Sequence, residues 1–239
     1  ATGSNAINLY LSALEQLLSQ GQAEDISRAM AVLRTAAINP NSLHQNSSVA
    51  TITASRYSLV AAEINLLNEN HEQALEWLTY PELESALQDQ ELATLNRLLG
   101  DVYFLQQDHS RAIAHYIEAF TLSESTQQQL IQDNLWSSLQ QISEPDLQAL
   151  AGSADSYQLL GWIELTRVME RSDSNLKQQL TALDQWRRVW ARHYAAAMLP
   201  SPLTRLEQSW QQRPQKLALM LPLTEAAGLA IQEGFFSAY

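Results

Sequence analysis

The chain has 239 residues, of which 46% are apolar, so it is long enough and apolar enough to fold around a sizeable core. It contains no cysteine, which excludes disulfides, thiol catalysis and cysteine-ligated zinc. A net charge of -12 argues against nucleic acid as a partner, because phosphate binding needs clustered Lys and Arg. No apolar run approaches the roughly 18 residues of a membrane-spanning helix, and no motif indicates a cofactor or a metal site.

Charge is unevenly distributed along the chain. Residues 1–156 carry 5 basic and 19 acidic side chains, whereas residues 157–216 carry 9 basic and 5 acidic ones. This pattern fits an ordinary solvated surface on two structural parts, or else a dipolar molecule whose ends meet different partners. Glycine and proline are scarce, at 7 each, while Leu, Ala, Gln and Glu are abundant, so the composition favours helix.

Two amphipathic helices are predicted first in the chain. Apolar residues recur at helical spacing in two stripes separated by a turn at Gly21: Ile7, Leu11, Leu14 and Leu18, then Ile26, Met30, Leu33 and Ala37. The polar stretch 39–42 is expected to end the second helix. Residues 1–6 precede the first stripe and are expected to be a processed or tag-derived remainder.

An internal repeat is the strongest signal in the sequence. Sliding the chain by 38 residues aligns 62–78 with 100–116 without a gap. The second copy carries the tetratricopeptide (TPR) pattern, with small residues at Gly100 and Ala112, where two helices of one hairpin are expected to cross closely. The clearest repeats are therefore predicted at 55–88 and 93–126.

The remaining segments also favour helix up to residue 200. The periodicity predicts these further elements: helices at 48–68, 71–79, 91–107, 109–122 and 125–142, a hairpin at about 145–171, and a long helix at 175–195. Each hairpin alone would expose an apolar face, so neighbours must stack to bury it. Residues 7–200 are thus predicted to form one domain, in which TPR-like antiparallel hairpins stack as an α-solenoid.

The pattern changes after residue 200. Residues 201–215 contain two prolines and weaker periodicity, and are predicted to be a linker. Lys216–Leu221 reads as a short buried strand that Pro222 ends, and Gly228–Tyr239 reads as a helix. One strand followed by one helix is how an α/β domain begins. The predicted fold class is therefore all-α, with the first strand and helix of a truncated α/β domain at 216–239.

Several stretches, taken in order, resemble the LpoA family of outer-membrane lipoproteins, which activate bifunctional penicillin-binding peptidoglycan synthases. They are Asp133-Asn-Leu-Trp-Ser-Ser-Leu139, Leu160-Gly-Trp-Ile-Glu-Leu-Thr-Arg-Val168, Trp186 with Trp190, Ala197-Met-Leu-Pro-Ser-Pro202, and Pro214-Gln-Lys-Leu-Ala-Leu-Met-Leu-Pro-Leu-Thr224 followed by Gly228-Leu-Ala-Ile-Gln-Glu-Gly-Phe235. The resemblance is closer after residue 130 than before it. In that family the last stretch looks like the opening of a domain with a periplasmic-binding-protein fold.

The resemblance implies a non-enzymatic scaffold, the N-terminal arm of a periplasmic lipoprotein. It further implies an outer-membrane lipid anchor that this chain lacks. The partner would be a bifunctional peptidoglycan synthase, contacted mainly through a C-terminal domain that is nearly all absent here.

The candidate partner-binding residues lie on the first helices of the hairpins, which line the concave surface in TPR folds. They are Arg56, Glu63, Thr94, Arg97 and Asp101. Their mixed charge suits an extended segment, so a TPR adaptor that binds a peptide or client protein is the alternative function. In that case Arg97→Glu should abolish binding without unfolding the chain. A third hypothesis is a helical glycan-active enzyme in which Glu63 and Asp101 act as paired carboxylates.

Two further patterns have both a structural and a functional interpretation. Trp186, Trp190 and Tyr194 recur at i, i+4 and i+8, as in a core stripe or in a stacking surface for a sugar chain. His71 and His109 occupy equivalent positions in the two repeats, which a shared turn explains more simply than metal binding.

Overall fold

The computed structural model describes residues 3–171 and 175–212, and within these ranges the regular structure is helical. The α-helices are α1 (Ser4–Gln20), α2 (Ala23–Ala36), α3 (Pro40–His44), α4 (Thr51–Leu67), α5 (His71–Leu78), α6 (Asp89–Leu105), α7 (His109–Leu122), α8 (Ser125–Leu139), α9 (Glu144–Ser153), α10 (Tyr157–Arg171), α11 (Leu176–Val189), α12 (Tyr194–Ala197) and α13 (Ser201–Gln211), with a 3-10 helix at Glu84–Ala86. The all-helical prediction is confirmed for this part of the chain. None of these helices has the length and apolarity needed to cross a bilayer.

Successive helices pair as antiparallel hairpins, and the first helices of neighbouring hairpins pack side by side. Helix α1 pairs with α2, α4 with α5 and α6 with α7, while α4 contacts both α1 and α6. From α4 to α10 the predicted helix ends agree with the structure to within three residues. Helix α1 begins at Ser4, so 4–6 of the expected N-terminal remainder are helical.

The core consists of two apolar clusters that meet at α7. The first is built mainly from α1, α4, α5 and α6, and the second from α7 to α13. Ala112 belongs to the first cluster, whereas the next residue, Ile113, belongs to the second. Phe104 packs against both clusters. Because α7 contributes to both, the two halves share one helix instead of being joined by a loop.

Close crossing of α6 and α7 depends on two small residues, as the repeat pattern predicted. A Cβ on Gly100 would lie 2.9 Å from the Tyr116 ring. Ala112 is fully buried on the facing helix. Larger side chains at either position would push the two helices apart.

The predicted long helix at 175–195 is wrong at its C-terminal end. Helix α11 ends at Val189, and a separate one-turn helix, α12, begins at Tyr194. The break has a local cause, since the His193 side chain accepts a hydrogen bond from the Ala195 backbone N–H and caps α12. Capping requires an extended backbone at His193, which a continuous helix would not allow.

The linker predicted at 201–215 is corrected as far as Gln211, because Ser201–Gln211 forms helix α13. Helix α13 packs against α8 and α11 and buries Leu203. Pro202 occupies its first turn, where the missing N–H costs nothing. The predicted strand at 216–221 and helix at 228–239 lie outside the described residues.

Candidate functional site

Three of the five predicted groove residues form one charged cluster between α4 and α6. The guanidinium of Arg97 donates from Nη2 to Glu63 Oε1 at 2.8 Å and from Nη1 to Asp101 Oδ2 at 3.1 Å. The Tyr116 hydroxyl of α7 donates to Asp101 Oδ1 at 2.6 Å. The cluster therefore connects three helices from two hairpins.

Burial governs the electrostatics of this cluster. Desolvation raises the pKa of the Asp101 carboxyl, and nearby Glu63 raises it further, while Arg97 and Tyr116 oppose both effects. Burial, followed by the Asp101 charge, raises the pKa of the Tyr116 hydroxyl. The Arg97 side chain is only 19% exposed. A guanidinium this buried beside two carboxylates is held as a structural ion pair, and removing one partner would leave a poorly solvated charge.

The other two predicted groove residues lie apart from the cluster. Arg56 on α4 reaches to α1, where its Nη2 lies 2.6 Å from Glu15 Oε1. Thr94 donates its hydroxyl to the Gln90 carbonyl of its own helix at 3.1 Å. Thus the structure brings Glu63, Arg97 and Asp101 together, and places Arg56 in a second junction one helix away.

The Arg97 cluster holds helices together, and its charged groups bind one another instead of being free for a ligand. Glu63 and Asp101 converge as expected, but Arg97 binds both carboxylates, so they are not a free acid and base pair. Sequence reasoning missed Tyr116 as the fourth member, although it ends the aligned stretch 100–116 and lies on the helix predicted to cross closely at Gly100. Arg97→Glu would now place three carboxylates together, so it would disturb packing as well as any bound ligand.

The tryptophan stripe forms core, as its structural interpretation predicted. Trp186 is 3% exposed and donates from Nε1 to the Gly161 carbonyl at 3.1 Å. Trp190 is half-buried beside Tyr157, with ring centroids 4.9 Å apart. Tyr194 lies beyond the end of α11 and stacks on Phe120 of α7 at 4.7 Å. These rings join α7, α10 and α11, and do not form one open stacking surface.

His193 lies at the centre of this aromatic cluster, a role that sequence reasoning missed. Its Nε2 donates to the Gln158 carbonyl at 2.9 Å, and its Nδ1 accepts from the Ala195 N–H. Burial lowers the pKa of His193 to about 4, so the ring is neutral near pH 7. Gly161 permits this position, because a Cβ there would overlap the imidazole.

A carboxylate of α8 fixes the start of α13. Asp133 Oδ1 accepts from the Ser201 backbone N–H at 2.7 Å, and Oδ2 accepts from the Ser201 hydroxyl at 2.6 Å. Gln129, one turn earlier on α8, donates to Asp133 Oδ1 and to the Leu199 carbonyl. Negative charge at a helix N-terminus is favourable, so this contact sets both the position and the direction of α13.

Candidate metal ligands do not converge. His71 and His109 are the first residues of α5 and α7, as expected for a shared turn. Within residues 3–171 and 175–212, no group of three His, Asp or Glu side chains has the arrangement of a metal site.

Relatives of the chain are known from comparison with other proteins. The model of the LppC lipoprotein family matches residues 1–239. A penicillin-binding protein activator LpoA from Haemophilus ducreyi is 26% identical over 241 residues, which is 96% of this chain and 39% of that protein. LpoA from Yersinia pestis is 33% identical over 109 residues, 44% of this chain and 17% of the relative. The chain thus spans well under half the length of these relatives.

Solved structures share the fold. The LpoA N-terminal domain from Haemophilus influenzae superposes with a TM-score of 0.69 at 18% identity, covering 89% of this chain and 88% of that domain. The amino-terminal domain of Escherichia coli LpoA gives a TM-score of 0.59 at 20% identity, with 92% and 88% covered. These domains are TPR-like helical structures, which confirms the predicted fold class for the described residues. Because the family model covers the whole sequence, the chain belongs to the LppC lipoprotein family.

Proposed function

We propose that this chain is the helical arm of a periplasmic lipoprotein that activates a bifunctional peptidoglycan synthase. The arm acts without catalysis, by holding an effector region at a fixed position relative to a lipid anchor in the outer membrane. Relatives named penicillin-binding protein activator support this proposal, and they extend well beyond the part that the chain matches. The activating contact with the synthase is assigned mainly to that further part.

The observation that carries the proposal is the continuity of helix packing from α1 to α13. Polar contacts span the junctions between neighbouring helices: Arg56 with Glu15, Arg97 with Glu63, Arg167 with Glu144, Arg187 with Glu207, and Asp133 with Ser201. The exposed pair of Arg56 with Glu15 adds little free energy, and the more buried pair of Arg97 with Glu63 must offset the cost of desolvating its charges. Their geometric value is greater, because they fix how each helix sits on the next while the two apolar clusters supply the stability.

The rival functions receive less support from the same geometry. Both arginines of the predicted groove are already paired with carboxylates, so an adaptor that captured an anionic segment there would have to break an ion pair. The glycan-active alternative loses its free carboxylates to Arg97 in the same way.

The direct test is binding of the 239-residue chain to a purified bifunctional peptidoglycan synthase from the same organism. A longer soluble form that spans the full length of the relatives serves as the control. We expect the longer protein to bind and this chain to bind weakly or not at all, because its role is to position the effector. Failure of both to bind would contradict the proposal. Strong binding by the chain alone would show that the helices themselves recognise the synthase.

Small-angle scattering tests the rigid arm independently of the synthase. The scattering curve of the chain should be fitted with residues 3–171 and 175–212 held as a single body and the remaining residues left free to vary. A curve that requires two halves moving about α7 would contradict a rigid arm, since force and position could not be transmitted along it.

A further inference from the structure

A polar groove of about 350 Å3 lies between α2 and α5, the second helices of the first two hairpins. This volume falls in the range of small-ligand sites. The groove is distinct from the Arg97 cluster, which joins the first helices of hairpins. Its lining has an apolar part, in which Met30 and Trp77 are each only 7% exposed.

Arg34 of α2 lines this groove, and among the residues that the structure describes it has no salt-bridge partner. Residues 1–156 contain five basic side chains, and the other four each pair with a carboxylate: Arg28 with Asp25, Arg56 with Glu15, Arg97 with Glu63, and Arg111 with Asp108. In a region with 19 acidic residues an unpaired arginine is an exception. Glu76 of α5 lines the same groove, and among the described residues it too forms no ion pair, either with Arg34 or elsewhere. Arg34 and Glu76 therefore line the same groove with opposite charges and do not form an ion pair with each other.

Amide side chains occupy the same lining. Asn65 is 4% exposed, and its Nδ2 donates to the Ala61 carbonyl, which leaves its Oδ1 as an acceptor. In Asn39 the roles are reversed: its Oδ1 already accepts a hydrogen bond from the Ser42 N–H, so its Nδ2 is left as a donor. Asn70 and Gln73 add further amides. Donors and acceptors together match the main chain of a peptide, which offers both.

We propose that this groove binds a short peptide with free ends, with its carboxylate at Arg34 and its ammonium at Glu76. Arginine binds a carboxylate through paired N–H donors, which gives the ligand a direction. A simple anion would meet Glu76, and an uncharged ligand would use neither charge. A peptide with free ends carries an ammonium, amides and a carboxylate, and the groove offers a counterpart to each. This inference is independent of synthase binding, because it concerns a different face and a different ligand.

Titration of the isotope-labelled 239-residue chain with tetra-alanine, followed by NMR, tests the proposal. Tetra-alanine with free ends should shift the side-chain amide signals of Asn39, Asn65, Asn70 and Gln73. The same peptide acetylated at one end and amidated at the other should bind about a hundredfold more weakly, because it loses both charge-assisted contacts and each contributes about tenfold.

Matched variants separate a binding role from a folding role. Arg34→Gln and Glu76→Gln should each weaken binding of the free peptide about tenfold. Arg188→Gln and Glu72→Gln change exposed residues outside the groove and should leave binding unchanged. Arg34 and Glu76 are themselves exposed, so the free energy of unfolding should stay near that of the wild type.

Two results would overturn the proposal. One is the absence of any shift at the solubility limit of the free peptide. The other is equal binding of free and capped peptides, or of wild type and Arg34→Gln, because the end charges would then play no part. The outcome of the synthase experiment does not affect either result.

Discussion

At the scale of single residues, the least predictable position in the chain is His193. Nothing in the sequence marks a histidine after two tryptophans as buried, yet only 1% of it is exposed. Its ring lies within 5.2 Å, centroid to centroid, of both Trp162 and Trp186. The neutral ring packs as an aromatic residue and still caps a helix, which a phenylalanine could not do.

Stability should fall with acid because of His193. Its pKa is about 4 in the folded protein and 6.5 ordinarily, so the unfolded chain binds the proton more tightly. The stabilisation that neutral His193 gives to the folded state is therefore fully present above pH 6.5, and it is lost as the pH falls from 6.5 towards 4. The loss amounts to about 3 kcal/mol at most.

Urea unfolding of the wild type and of His193→Asn at both ends of this pH range checks the prediction. Asparagine keeps an acceptor for the Ala195 N–H but does not titrate. The variant should start less stable because it underfills the aromatic cluster, and it should lose less stability in acid. Equal losses in the two proteins would show that other groups carry the acid sensitivity.

At the scale of elements, the turns of the two repeats are built alike. Glu69 and Gln107, 38 residues apart, have φ of 61° and 62°. In both, the next backbone N–H reaches back to the first helix: Asn70 to the Asn65 carbonyl at 2.8 Å, and Asp108 to the Tyr103 carbonyl at 2.9 Å. This is a Schellman ending in which glycine would be the favoured residue at the left-handed position.

Gln107→Gly should therefore stabilise the protein by about 0.5–1 kcal/mol, because glycine adopts this φ without steric cost. The neighbour provides a matched control. Gln106 has φ of -82°, so Gln106→Gly should destabilise by a similar amount through backbone entropy. Thermal unfolding of both variants measures the difference, and changes of the same sign in both would refute the explanation.

At the scale of the whole molecule, the contact between Asp133 and Ser201 joins residues 68 apart in the chain. Both lie in stretches that carry the family resemblance, yet neither stretch by itself indicates the other as a partner. Since α13 is the last described helix, this contact sets the direction in which the helical part ends. A rigid arm requires that direction to be fixed.

Asp133→Ala should destabilise the chain by about 1–3 kcal/mol, because it leaves the Ser201 N–H and hydroxyl without their acceptor. Asp184→Ala removes an exposed carboxylate from α11 and should have little effect. Hydrogen exchange is the sharper measurement, since amide protection should fall mainly in α13. Unchanged protection there would mean that apolar packing of Leu203 alone holds the helix.

The sequence by itself determined the helical class, the hairpin repeat and most helix boundaries. These follow from local periodicity and from the small residues Gly100 and Ala112, which the structure places where two helices cross. It also placed Glu63, Arg97 and Asp101 on equivalent first helices, so their convergence could be anticipated.

Only the tertiary structure decided what those side chains do. Arg97 is not free for a ligand, because its Nη2 lies 2.8 Å from Oε1 of Glu63, a residue 34 positions earlier on another helix. The break after α11 accompanies burial of His193 against Gly161, and Asp133 of a distant helix accepts the hydrogen bonds at the start of α13. Pairing and burial are long-range properties, and local periodicity carries no information about them.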